Sequence, residues 1–387
     1  METLTSPFGN VELERVPVRQ RQRLRAWDAA DEYVLEHLAE FPLSEGSSLV
    51  LIGDSFGALA CSLRAHDPIV VNESAAGAAA IEENLGRNKL GALEIYSILD
   101  LETLTEPIDC VVVKVPKSNS ELVDILHRLR PHVHAETRVI GAGMAKHIHT
   151  STLECFESII GSTKTSLARK KARLIHSNFD YSLTPGPNPW PSTWRVNGLT
   201  LVNHGGGFSP TALDVGTRFL LDNIASFADL VPTTGESIRV VDMGCGNGVI
   251  GLWMANDLLA SSTNFVIDVV DDSALAIGAA ESSWEQTLPG VAEERAAFRH
   301  HHRLVEVLEK RSVDLVVVNP PFHDDRVVGD DTAWSMFTDA HKVLRPGGQL
   351  VVVGNQHLAY HAKLKKIFGK VDTLASNKKF VLLRAHR

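Results

Sequence analysis

The stretch that decides the fold is "VVDMGCGNGVIG", residues 240–251. An apolar run ends in Asp242 and Met243, glycines follow at 244, 246 and 248, and an apolar stretch of helical spacing, "GVIGLWMANDLLA", begins at once. The order reads strand, tight turn, helix. Glycines let the backbone reverse sharply and let a ligand approach it closely. The turn lacks the Gly-Lys-Ser/Thr that completes a P-loop, and its G-C-G-N-G spacing differs from the G-x-G-x-x-G of dinucleotide folds.

Downstream the alternation continues. "NFVIDVVDD" reads as a strand, "SALAIGAAESSWEQ" as a helix, "VDLVVVN" as a strand, "TAWSMFTDAHKVL" as a helix and "GQLVVVGN" as a strand. Near-continuous Val/Ile runs between helical patterns predict a parallel sheet covered on both faces. Upstream the same order appears once more. "SSLVLIGDSFGALA" stands where the glycine-rich stretch stands later, "IVVNESAAGAAAIEENL" beside "VVDDSALAIGAAESSW", and "CVVVKVPKSNSELVDILHRLRP" beside "LVVVNPPFHDD" and its helix. This is an internal duplication of one α/β domain. Between the copies, "SNFDYSLTPGPNPWPSTW" holds four prolines and a glycine, which forbid regular structure. Next, "WRVNGLTLVNH" places Asn197-Gly198 between two β-prone runs, the signal of a type I′ hairpin. The expected organisation is therefore a first domain over 1–176, a proline-rich linker over 177–194 and a second domain over 195–387.

Composition restricts the class. The chain has 387 residues, 44 % apolar and 22 % charged, which is ordinary for a soluble globular protein of about two domains. No apolar run is long enough to span a bilayer, and the N-terminus has no basic start and apolar core of a signal peptide. Cys61, Cys110, Cys155 and Cys245 are scattered singly, which fits neither a disulfide scaffold nor a zinc site. The expectation is a reduced, cytoplasmic protein with no structural metal. Net charge is −9, yet residues 361–387 carry eight Lys/Arg and one acid, and residues 164–176 carry Lys164, Arg169, Lys170, Lys171 and Arg173 with no acid. Arginines also stand at 15, 19, 21, 23 and 25. Local clusters of this kind bind phosphates even on an acidic chain, or else form solvated helix faces.

The D-x-G-x-G-x-G pattern of residues 242–248 resembles that of class I S-adenosylmethionine (SAM) methyltransferases. Such a turn, Gly244, Cys245, Gly246 and Asn247 here, makes room for the methionine part of SAM, and Asp242 at the strand end meets its ammonium directly or through water. Asp271 lies 27 residues after Gly244, at the end of the next strand, where a carboxylate can accept both ribose hydroxyls; Asp272 follows near the adenine edge. The competing reading of an acid before a helix is a plain N-cap. After the third strand, "FRHHHRLVEVL" puts His300, His301, His302 and Arg303 where an adenine contact is expected. Adjacent strand residues face opposite ways, so the three histidines cannot share one metal, and they read as loop residues.

The fourth strand ends in Asn319-Pro320-Pro321-Phe322. None of these residues helps a strand continue. Together they resemble the (N/D)-P-P-(Y/F/W) of methyltransferases that act on planar amino groups. The lone pair of such an amine is delocalised, so it is a poor nucleophile. The Asn319 carboxamide oxygen and the Pro320 carbonyl can each accept one of its N–H groups, aiming the lone pair at the methyl donor. Phe322 can stack on a base, a contact worth roughly 1–3 kcal/mol. Direct displacement then needs positioning rather than a strong base. In the first copy, "KVPK" (114–117) replaces "NPPF" and the turn is "GDSFGA", so that copy is expected to be catalytically dead, with RNA binding or structural support as its role.

Order, motifs and near-complete coverage of the chain resemble the bacterial rRNA (guanine-N2)-methyltransferases that carry two tandem methyltransferase-like domains. "FSPTALDVGTRFLL" (208–221) is similar to that family's F-S-x-x-x-L-D-x-G segment, which implies that Phe208 and Asp214 help close the cofactor site. "NQHLAYHAKLKKIFGKVDTLASNKKFVLLRA" is similar to the large-subunit, RlmG-type branch, which methylates 23S rRNA, rather than the small-subunit, RsmC-type branch acting on 16S rRNA. The resemblance implies SAM as cofactor and rRNA as partner, with Lys164, Arg169, Lys170, Lys171 and Arg173 as the RNA-binding candidates. The run His300–His302 and the "GGG" before Phe208 depart from the family's pattern. Competing readings are a glutamine-amide methyltransferase acting on a translation protein, a DNA adenine methyltransferase, and a non-catalytic assembly factor.

Overall fold

A computed structural model describes residues 1–16, 24–207, 212–231, 237–321 and 326–387. The chain forms two compact units, Met1–Trp190 with His204–Gly206, and Pro191–Asn203 with Gly207–Arg387. Strands number β1 (Glu2–Ser6), β2 (Gly9–Leu13), β3 (Leu49–Ile52), β4 (Ile69–Val71), β5 (Ile95–Tyr96), β6 (Cys110–Lys114), β7 (Arg138–Met144), β8 (Thr163–Thr165) and β9 (Ala172–Ser177) in the first unit. The second unit holds β10 (Ser192–Val196), β11 (Leu199–Asn203), β12 (Ile238–Met243), β13 (Phe265–Asp271), β14 (Ala296–His300), β15 (Val313–Val318), β16 (Leu344–Asn355), β17 (Lys370–Ser376) and β18 (Phe380–His386).

Each unit is built on a seven-stranded sheet, and the two sheets have the same order: β5-β4-β3-β6-β7-β9-β8 and β14-β13-β12-β15-β16-β18-β17. In both, five parallel strands are followed by an antiparallel pair at one edge. The duplication read in the sequence is thus a duplication of topology. The Val-rich runs are buried on both faces, as parallel strands between helices must be. Ile238, Val240, Leu315, Val317, Val351 and Val353 pack on one side of the second sheet. Their neighbours Val241, Met243, Val316, Val318, Leu350 and Val352 pack on the other. That is the period-2 alternation of a strand with two apolar faces.

The expected hairpin is present. β10 and β11 pair antiparallel, and Asn197 and Gly198 sit at φ 48° and 82°, as a type I′ turn requires. No regular element lies between Ser177 and Ser192. The boundary between units falls at Trp190–Pro191, inside the stretch read as a linker. The "GGG" has a steric reason. A Cβ on Gly205 would lie 2.3 Å from the Ser120 carbonyl oxygen, and the N–H groups of Gly205 and Gly206 donate to Asp124 Oδ2 (3.2 Å) and Ser120 Oγ (3.1 Å) on the helix Asn119–Leu129. Among the described residues, no helix is long and apolar enough to cross a membrane, and no group of three or more His, Cys, Asp or Glu side chains could hold a metal.

Candidate active site

The glycine turn sits at the C-terminal end of β12, the middle one of the five parallel strands of the second sheet. Gly244 has φ 70° and Gly248 φ 77°, left-handed values that an L side chain rarely adopts. Gly248 is the N-cap of the helix Val249–Ala260 and, as a glycine, makes no side-chain cap bond. A cleft over the turn is lined by Gly244–Asn247 together with Trp194, Leu213, Asp214, Thr217, Val249, Ile250 and Asn319. A Cβ placed on Gly246, whose φ is 55°, would meet nothing within 4 Å, so the turn leaves open room on that side.

Asn319 follows β15, and β15 runs beside β12 with Val318 paired to Met243. Its side chain is tied down on one side only. Nδ2 donates to Asp214 Oδ2 at 3.1 Å and to Thr217 Oγ1 at 2.9 Å. A carboxylate only accepts, so the amide must turn its NH₂ toward Asp214. The opposite atom, Oδ1, is buried and has no hydrogen-bond partner among the described residues. An unpaired buried carbonyl oxygen is costly unless a donor arrives. Asp214 is itself fixed as N-cap of the helix Val215–Asn223, accepting the N–H of Thr217 at 3.0 Å. Pro320 is buried next to Asn319. Phe208 and Phe322 lie outside the described residues.

The other predicted residues surround the turn at different depths. Asp242 has no exposed surface; its Oδ2 accepts the N–H of Gly251 at 2.8 Å, and Oδ1 has no partner among the described residues. Burial pushes its carboxyl up to about 7, with nearby Asp271 adding to the effect and the Gly251 bond opposing it. Asp242 therefore lies beneath the turn rather than on the cleft wall. Asp271 closes β13; its Oδ2 accepts from Gly246 N–H (2.9 Å) and its Oδ1 from Ser273 N–H (2.9 Å). Burial raises its pKa, and the two N–H bonds partly offset that. The N-cap of the following helix is Ser273, whose Oγ accepts from Ala276 N–H at 3.0 Å, so the plain capping role does not fall to Asp271. The Asp272 carbonyl oxygen accepts from His300 Nε2 at 2.9 Å. Cys245 is buried, and desolvation with Asp271 and Asp242 nearby holds its thiol well above the usual range. Asn247 Nδ2 donates to Asn203 Oδ1 at 3.1 Å, at the end of β11.

One sequence reading is corrected here. His300 is the last residue of β14, not a loop residue, while His301 and His302 leave the strand and stack at 5.1 Å and 7°. Thr217 and Trp194 were missed. Thr217 contacts a residue 102 positions away, which no local pattern reveals.

The first unit carries different residues at the positions that correspond to this site. Strand register equates Ile52 with Met243 and Val113 with Val318, because each pair sits opposite in its sheet. Asp54 then occupies the place of Cys245, Asn72 that of Asp271 and Lys114 that of Asn319. The Asp54 carboxylate accepts four backbone N–H groups, those of Gly57, Ala58, Leu59 and Ala60, at 2.8–3.1 Å. It takes up four N–H groups at the helix start, where the second unit has the bond from Gly251 N–H to Asp242. Lys114 Nζ pairs with Asp28 at 3.0 Å and with Asp31. Burial raises Asp31 to about 6, against the pull of Lys114.

The basic residues 164–173 are divided by the fold. Lys164 is on β8 and Arg173 on β9. Lys170 and Lys171 form the two left-handed residues of a tight turn, φ 48° and 68°, closed by Arg169 and Ala172. Arg169 pairs with Glu36 (3.4 Å) and Glu40 (3.9 Å), and Lys170 with Glu32 (2.5 Å) and Glu36 (3.9 Å). Arg15 lies over the Phe56 ring at 4.7 Å, Arg25 pairs with Glu2 and Glu32, and residues 19, 21 and 23 lie outside the described residues.

A seven-stranded sheet of this order, with a glycine turn after the middle one of its parallel strands and an oriented Asn-Pro at the end of the neighbouring one, defines a class I methyltransferase. Residues 198–384 match the family described as methyltransferase small domain, and residues 1–181 match the RLMG N-terminal domain. The ribosomal RNA large subunit methyltransferase G of Streptomyces avermitilis is 44 % identical over 391 residues, covering 99 % of each chain. The protein of that name from Aeromonas salmonicida is 42 % identical over 375 residues, covering 96 % of each. The chain belongs to the ribosomal RNA large subunit methyltransferase G family. Among solved structures, the T. thermophilus 16S rRNA N2 methyltransferase RsmC, in complex with AdoMet and guanosine, superposes with a TM-score of 0.72 at 20 % identity, covering 100 % of this chain and 97 % of that one; it shares the fold.

Proposed function

We propose that the protein transfers one methyl group from SAM to the exocyclic N2 of a guanine in large-subunit (23S) rRNA. The observation that carries this reading is the orientation of Asn319, whose NH₂ is taken up by Asp214 and Thr217 so that Oδ1 is left as a buried acceptor. An acceptor at that place suits a planar amine, and the guanine amino group is one. The relatives of 41–44 % identity carry the name of a large-subunit rRNA methyltransferase, which supports the substrate.

The residues present fit SAM. The open side of Gly246 leaves space for it, and Gly244, Cys245, Gly246 and Asn247 would hold its methionine part, with Asp242 beneath them. Asp271 and Asp272 would serve the ribose and adenine side. Bound SAM supplies an electrophilic methyl on a sulfonium. Asn319 Oδ1 and the Pro320 carbonyl accept the amine N–H groups and orient its lone pair; Phe322 stacks on the base. Asp214 takes the further part of fixing Asn319. Positioning dominates, and the proton leaves after the nitrogen has become cationic. The first domain is non-catalytic, because Lys114 donates where Asn319 accepts and Asp54 fills the helix start. Its RNA contacts fall to Lys164, Lys171 and Arg173 before Arg169 and Lys170, whose charge three glutamates offset. We place the protein in the cytoplasm with its substrate.

Purified protein with methyl-labelled SAM, offered protein-free 23S rRNA, protein-free 16S rRNA and intact subunits, tests the reading. N2-methylguanosine from large-subunit RNA alone is expected. Label in 16S rRNA would overturn the branch, and label in no RNA would overturn the substrate.

A further inference from the structure

The catalytic edge of the second sheet carries a cationic rim. β12, β15 and β16 are parallel, so their C-terminal ends share one edge, the one that bears Gly244 and Asn319. β18 runs antiparallel to β16, and Asn355 at the end of β16 pairs with Phe380 at the start of β18. The turn leading into β18 therefore stands on that same edge. It is held in shape: Asn377 Oδ1 accepts the N–H groups of Lys379 (2.8 Å) and Phe380 (2.7 Å), and the Lys379 carbonyl accepts from Gln356 N–H at 2.9 Å. Lys378 and Lys379 are exposed on it. The Phe380 ring stacks on Phe219, centroids 5.9 Å apart at 26°. Phe219 follows Arg218, an exposed residue in the first turn of the helix that holds Asp214 and Thr217. That stacking draws Arg218 and the lysine turn to one part of the surface. None of the three cations pairs with an acid among the described residues.

We propose that Arg218, Lys378 and Lys379 form a phosphate-binding rim that grips the RNA backbone beside the target guanine. The proposal rests on the reading of RNA as substrate. From β15 to β18 is two strand spacings, about 10 Å, the scale of a neighbouring nucleotide, and Lys379 Nζ lies over the Phe380 ring at 5.1 Å. A chain of net charge −9 needs local cations to hold a polyanion, and phosphate contacts fix position and register without reading sequence. Position at the catalytic edge separates these lysines from Lys370. Lys370, also exposed, pairs in register with His386 at the opposite end of the same two strands.

The test uses the full chain and measures binding to protein-free 23S rRNA across a salt series. Lys378→Glu with Lys379→Glu is expected to weaken binding by about tenfold or more at roughly 0.1 M salt and to flatten the salt slope by about 0.7 for each phosphate no longer neutralised. Lys378→Gln with Lys379→Gln, which removes charge without adding any, should flatten the slope alike. Lys370→Glu, a single charge reversal at the far edge, should leave affinity and slope as in the wild type. Unchanged affinity and slope in the paired variants would overturn the rim, as would an equal loss in Lys370→Glu. Wild-type protein that leaves N2-methylguanosine in no RNA would instead overturn the substrate reading.

Discussion

Thr217 and Asn319, 102 positions apart in the chain, are joined by a hydrogen bond of 2.9 Å from Nδ2 to Oγ1. With Asp214 taking the other N–H, the carboxamide has both donors engaged and its oxygen presented. Thr217 is a positioning residue in this scheme. Thr217→Val keeps the shape and removes the acceptor, and kcat/KM should fall about tenfold, the scale of one hydrogen bond removed from a buried site. Thr217→Ser restores the hydroxyl and should recover activity to within about threefold. A valine variant with wild-type kcat/KM, or a serine variant no better than valine, would refute the arrangement.

Asn319 itself should behave as a group that acts in the transition state. Removing a comparable preorganised partner in other enzymes costs about 10²–10³ in kcat. Asn319→Ala is expected to fall by that order while calorimetry still detects SAM binding, since the glycine turn and Asp271 are untouched. Full activity in this variant would remove Asn319 from the chemistry.

The parts of the fold that could be read in the sequence are those with a local signature. Val240, Val241 and Val316–Val318 are buried on two faces, and that demand is written as an unbroken apolar run. Gly244 and Gly248 have left-handed backbones, which the residue type itself announces. What escaped is non-local. Arg169 and Lys170 look like an unopposed basic cluster until the fold brings Glu32, Glu36 and Glu40 to them from more than 120 residues away. His300 looks like a loop residue because three histidines carry no strand pattern, yet the pairing of Asp271 with His300 extends the ladder to it. In the first copy, "GDSFGA" does not announce that the Asp54 carboxylate accepts four N–H groups at the helix start.

That plug makes a prediction about stability rather than chemistry. Asp54→Asn keeps one accepting oxygen and replaces the other by an NH₂, so two of the four N–H bonds disappear. At about 1–3 kcal/mol for each unsatisfied buried donor, and roughly 2–4 °C per kcal/mol for a domain of this size, the apparent Tm should drop by roughly 4–24 °C. Methyl transfer below that temperature should persist, because Asp54 belongs to the copy proposed to be non-catalytic. A Tm equal to the wild type would show that the four bonds are not what hold the turn.

Asp242 gives the pH dependence. Its folded pKa of about 7 lies above the ordinary 3.8, because burial disfavours the carboxylate. Below the unfolded value both states are protonated and the group imposes no penalty. As pH rises, the unfolded chain ionises first, so this group's contribution to stability is lost between about pH 4 and pH 7 and stays lost above. Asp242→Asn removes the titration while its amide oxygen can still accept from Gly251 N–H, the bond made at 2.8 Å in the wild type. Urea unfolding of both proteins from pH 5 to pH 8, without SAM, should show the stability of the variant relative to the wild type increasing with pH up to about 7 and then levelling. A difference that does not change with pH would mean that the Asp242 carboxyl ionises as readily in the folded protein as in the unfolded one.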